Sequence, residues 1–139
     1  MAAAARLFRQ QGYHGTALQD ILAAAGSPRG SLYFHFPKGK EEIGAAALSI
    51  AGEAARQAIA HAAETSESAE MFVIRVARGM ASDLEKSGFE EGCPIATTAL
   101  ETSAQSDVLG AVTRNAFRDG SLRSNAACSA SASRRGTRI

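Results

Sequence analysis

Stops at Gly12, at Gly26 and across Pro37-Lys38-Gly39 cut the opening of the chain into three segments, each too short to persist as an isolated helix in water. Such pieces form only by packing on one another, so the sequence must begin with a small cluster of short helices. Residues 2–11 (AAAARLFRQQ) have high helix propensity and set Ala4, Leu7 and Phe8 on one face, with Gly12 as the stop. Thr16-Ala17-Leu18-Gln19 has the form of a capping box, Thr16 capping the amide of Gln19 and Gln19 reaching back. Leu18, Ile21, Leu22 and Ala25 then follow helical spacing until Gly26. Ser27 before Pro28 reads as an N-cap with proline at the first helical position, where its missing N–H is not needed. Leu32 and Phe36, four residues apart, would point from this third helix into the shared core.

Two short helices joined by a tight glycine-containing turn make a helix-turn-helix, and the helix before them supplies the third wall of its core. From Lys40 to about Glu64 the helical period runs unbroken through Ile43, Ala46, Ala47, Ile50 and Ala54, long enough to leave the first three helices and enter a second bundle. Thr65-Ser66-Glu67-Ser68 interrupts it. Residues 69–87 place Phe72, Val76, Met80 and Leu84 on one stripe, and Gly88 ends that helix. Cys93-Pro94 starts another, carrying Ile95, Ala99 and Leu100, while Val108, Leu109, Val112, Ala116 and Phe117 mark one more. The class is therefore all-α, with a three-helix unit over residues 1–44 and a helical bundle over 45–119. Residues 120–139 hold five serines and four arginines with Leu122 and Ile139 as the large apolar residues, a composition expected to be disordered.

The formal net charge of +1 is unevenly spread. Residues 1–45 hold five basic and three acidic side chains, residues 46–119 six and eleven, and the last twenty four and none, giving +2, −5 and +4. A basic end on an acidic body suits a polyanion partner at one end. No apolar run reaches the ~18 residues of a membrane span, and no basic region precedes an apolar segment at the start, so a cytoplasmic protein is expected. Cys93 and Cys128 lie far apart without metal-ligand spacing, and His14, His35 and His61 show none with either. The sequence offers no catalytic constellation: Cys93 has no base or oxyanion motif in view, so no catalytic residue, metal or cofactor is expected. Glu90-Glu91 reads as a solvated loop.

The run from Ala3 to Ile43 resembles the DNA-binding domain of TetR-family transcriptional regulators. The matching residues are the Leu7-Phe8 pair, Gly12-Tyr13, Thr16, Ile21, Ala25-Gly26, Gly30 to Tyr33, His35-Phe36-Pro37 and Lys40-Glu41-Glu42-Ile43. Further on, Gly92-Cys93-Pro94-Ile95 and Leu100-Glu101 resemble the LmrA/YxaF-like branch. The resemblance implies a homodimer whose two helix-turn-helix units enter successive major grooves of a double-stranded DNA operator. It also implies a C-terminal helical domain whose small-molecule effector lowers DNA affinity, acting through the long fourth helix.

On that reading Arg29 would contact a base edge, where its fork suits guanine O6 and N7. Thr16, Tyr33, His35 and Lys40 match phosphate-contacting positions, Ser27 stands at the start of the third helix, and Gly30 and Ser31 are small enough for close approach to the groove. Phe72, Val76, Met80, Thr97, Thr98 and Glu101 are the candidates to line an effector cavity. The Ser/Arg tail stands where the family's last helices, which form the dimer bundle, are expected, so the chain reads as shortened there. The rival is a helical interaction protein, or a fragment that keeps the fold without dimerising or repressing.

Overall fold

A computed structural model describes residues 1–135, with backbone but not side chains for Arg29, Ser31, residues 122–128 and residues 130–135. Its elements are α1 (Ala2–Gly15), α2 (Leu18–Ala25), α3 (Arg29–His35), α4 (Lys40–Glu64), α5 (Ala69–Lys86), α6 (Pro94–Thr102) and α7 (Asp107–Arg135). Among the described residues the protein is all-helical.

Two clusters of buried side chains organise these helices. Ala4, Leu7 and Phe8 of α1 meet Ile21 and Leu22 of α2, Leu32 of α3, and Ile43 and Ala47 of α4, with Leu18 and Phe36 packed at the edge. Leu48 of α4, Ile95 of α6 and Leu109 of α7 form the second cluster, flanked by Ala51, Val112 and Ala116. Tyr13 packs against both. One continuous helix, α4, therefore contributes successive turns to both clusters. It packs most extensively on α7, and Gly44 permits this: a methyl group there would stand 3.0 Å from the Tyr13 ring and 3.2 Å from Leu109.

The glycine stops behave as their chemistry dictates. Gly12 takes φ 75° and breaks the path of α1, while Gly26 adopts the left-handed conformation that ends α2. Beside Gly26 the Ser27 amide donates to Leu22 O, the six-to-one bond of a Schellman ending. Ser27 is thus consumed in stopping α2, and its hydroxyl donates back to Ala25 O at 3.4 Å. The expected Ser27 N-cap is corrected: Pro28 occupies that position and α3 begins at Arg29.

Thr16 is a second correction. It does not cap α2; Ala17 holds the N-cap position, and the Asp20 carboxylate accepts the Ala17 N–H at 3.1 Å. Fully buried, Thr16 donates its hydroxyl to Gly12 O at 2.7 Å and so fastens the corner between α1 and α2. Over residues 120–135 the expected disorder also differs from the structure, in which α7 continues to Arg135; residues 136–139 of that expected tail lie outside the described residues. Proline-free Ala, Ser and Arg sequence keeps enough helix propensity to extend a helix already nucleated by Val108 to Phe117.

Candidate nucleic-acid interface

On the seven-residue α3, Leu32 is the one buried residue among the described side chains, at 8 % exposure, and the residues around it define an outer face. Tyr33 is 60 % and Phe34 83 % exposed, and His35 is exposed beside them with its ring edge-on to Phe34 at 5.2 Å. A side chain at Gly30 would meet nothing within 4 Å, so the backbone there is open to approach. Ser27, Pro28 and Lys38 are exposed along the same border, and a shallow open depression lined by Gln19, Asp20, Ala23, Gly26, Ser27 and Pro28 runs beside the start of α3. The helical backbone at Arg29 and Ser31 belongs to α3, but their side chains lie outside the described residues.

Exposed aromatic rings at this density have no packing explanation. Phe34, two positions from Leu32, points away from the core that anchors the helix. The sequence reading passed over Phe34; its signal was an aromatic on the face opposite Leu32.

Two of the expected contact residues sit differently. Thr16 is buried, so its hydroxyl serves the α1–α2 corner rather than the surface. Lys40 is half-buried and holds its ammonium 4.5 Å from the centre of the Tyr13 ring. Burial lowers its pKa, and the Glu101 carboxylate opposes that shift. Tyr13 itself is pushed up by burial and by the Glu41 charge.

The six effector candidates do not converge on one space. Phe72 is buried, whereas Met80 of the same stripe is 64 % exposed, and α5 packs on α4 and α7 while α6 packs mainly on α1 and α7. Thr97 donates its hydroxyl to Cys93 O at 2.9 Å, and Thr98 is buried with no partner for its hydroxyl among the described residues. Val76 is half-buried. Glu101 turns away to α1, where it accepts the His14 N–H at 2.7 Å. Nor is Glu91 a solvated loop residue: it accepts from Gln10 at 3.2 Å and pairs with Arg9 at 3.5 Å. Among the described residues no group of His, Cys, Asp and Glu is arranged to hold a metal ion, and no helix is long and apolar enough to cross a membrane.

Comparison with known proteins places this geometry. Residues 1–47 match the model of bacterial regulatory proteins of the tetR family, and residues 69–123 match the C-terminal domain of LmrA/YxaF-like transcriptional regulators. A tetR-family segment is thus followed by one similar to the C-terminal domain of LmrA/YxaF-like regulators. The chain is 34 % identical over 119 residues to the HTH-type transcriptional regulator LmrA of Bacillus subtilis, covering 86 % of the chain and 63 % of that relative. It is equally identical over 119 residues to the regulator YxaF of the same organism, covering 83 % and 60 %. The HTH-type transcriptional repressor DhaR of Mycobacterium sp. strain GP1 is 33 % identical over 104 residues, covering 75 % of the chain and 50 % of DhaR. The chain thus spans about 60 % of the length of the first two relatives. Within the TetR-family match lie all of α1, α2 and α3 and the first turns of α4, which are the elements that meet in the first core.

Proposed function

We propose that this protein is a cytoplasmic DNA-binding transcriptional regulator, a repressor that grips a double-stranded operator as a homodimer and is released by a small-molecule effector. The observation that carries it is the outer face of α3, with Tyr33, Phe34 and His35 exposed around the buried Leu32, inside a segment that matches the tetR family. In the complex α3 lies in the major groove. Arg29 reads a base edge, Gly30 and Ser31 let the backbone come close, and Tyr33, His35 and Lys38 face the phosphates. Ser27 borders the same groove. Two copies would place two such helices ~34–36 Å apart, one turn of duplex.

The relatives are named as regulators, DhaR as a repressor, and this supports regulation rather than catalysis. Phe72, Val76 and Thr98 are the residues left to contact an effector, with Met80 and Thr97 nearer the surface. The test is selection of duplexes from a random pool by the full chain. Enrichment of a two-fold symmetric site, bound with an affinity that falls steeply with added salt, supports the reading. A pool that emerges unenriched sinks it.

A further inference from the structure

The second core holds the first at the break in α1. Past Gly12, where φ is 75°, the helix path is interrupted, and amides beyond such a break need new acceptors. Glu101, on the last turn of α6, supplies one: its Oε2 accepts the His14 N–H at 2.7 Å, and the His14 ring Nε2 lies 3.4 Å from the Glu101 carbonyl. The same carboxylate fills the space beside Gly12, so that a methyl group added there would overlap it. From the inner side, Gly12 O accepts the buried Thr16 hydroxyl at 2.7 Å, two residues before α2 begins. The corner between α1 and α2 therefore has one polar anchor inside its own core and one reaching in from α6.

A separate grip lies at the other end of α6. The Gly92 amide donates to Arg9 O at 3.2 Å, and Arg9 Nε donates to Gly92 O at 3.0 Å. The Arg9 and His14 grips straddle Gly12, the one residue of α1 with non-helical dihedrals. A shift of α6 must consequently act on α1 at its break. Both grips include a charge-assisted hydrogen bond, and the Glu101 carboxylate is the one that lies directly against Gly12.

We propose that Glu101 is a positioning residue, fixing the α1–α2 corner and through it the angle at which α3 is presented. This rests on the proposed role of α3 in DNA binding, and it sets a route from α6 through α1 beside the one through α4. Glu101 touches no DNA; it acts through His14 and Gly12.

The test uses the full chain and three variants, Glu101→Ala, Glu101→Gln and Ile95→Val, at a temperature where circular dichroism shows all of them folded. Two quantities are read: amide hydrogen exchange at His14 and at Ile21 and Leu22, and affinity for the duplex selected from a random pool. Glu101→Ala is expected to speed exchange at these amides by about tenfold or more, and to weaken duplex binding by a similar factor. Glu101→Gln keeps an oxygen acceptor and should stay within about twofold of the parent. Ile95→Val trims one methyl group from the second core, leaves both grips of α6 on α1 in place, and should keep affinity within about twofold of the parent. The proposal is overturned if Glu101→Ala binds like the parent, if Glu101→Gln loses as much as Glu101→Ala, or if Ile95→Val weakens binding equally. Should the parent bind no duplex at all, the DNA-binding reading fails, and the exchange rates alone decide: unaccelerated exchange in Glu101→Ala overturns the positioning role.

Discussion

Among the described residues four threonines are buried, and they divide by what their hydroxyls do. Thr16, Thr102 and Thr113 each donate to the carbonyl four residues back, at 2.7, 2.7 and 2.9 Å. Thr98 has no partner among the described residues. Removing a satisfied buried hydroxyl orphans its acceptor, while removing an unsatisfied one relieves a desolvation cost. Thr16→Val is therefore expected to lower stability by ~1 kcal/mol, and Thr98→Val to raise it by up to ~1 kcal/mol, both measured by urea unfolding. Equal losses in the two variants would contradict this division. Thr16 also shows what a local motif cannot resolve. The Thr16 to Gln19 spacing satisfied the capping pattern, but the threonine is buried in the α1–α2 corner, and the bond that forms is from the Ala17 N–H to the Asp20 carboxylate one residue later. At the surface, Arg29→Ala should relax preference at one base position by roughly 1–3 kcal/mol, checked by binding to duplexes varied at that position.

On the scale of elements, α3 separates packing from contact within a few residues. Leu32→Ala should cost ~2–4 kcal/mol of stability, because it empties a place in the first core. Tyr33→Ala should change stability by less than ~0.5 kcal/mol while weakening duplex binding, since Tyr33 is exposed. Paired unfolding and binding measurements distinguish them, and a large stability loss in Tyr33→Ala would contradict the surface role. Most of the helices were legible because their ends carry local chemistry. Gly26 stops α2 and Cys93-Pro94 opens α6 as expected, whereas Gly12 breaks α1 three residues before its end at Gly15. The long α4 followed from an unbroken period between Gly39 and Thr65. What local pattern could not supply was set by neighbours distant in sequence. Glu101 and Glu91 looked like a cavity residue and a solvated acid, yet both are committed to α1. The extension of α7 to Arg135 was missed because an apolar face was demanded of a segment whose helix is carried by the turns before it.

Across the whole molecule, the single helix α4 serves two cores, Tyr13 packs on both, and α6 clasps α1 at either side of Gly12. The proposed regulator needs two copies, so light scattering of the full chain should give the mass of a dimer; a monomer at working concentration would favour the helical interaction protein. Binding should weaken steeply between ~50 and ~200 mM salt, because each phosphate contact releases counterions. The most direct measurement of where DNA is held is an amide chemical-shift titration of the full chain with the selected duplex. The largest changes are expected at residues 29–35 and at Lys38, with the middle of α5 unmoved. Changes concentrated on α5 and α7, with residues 29–35 unaffected by saturating duplex, would contradict the assignment of α3 to the groove.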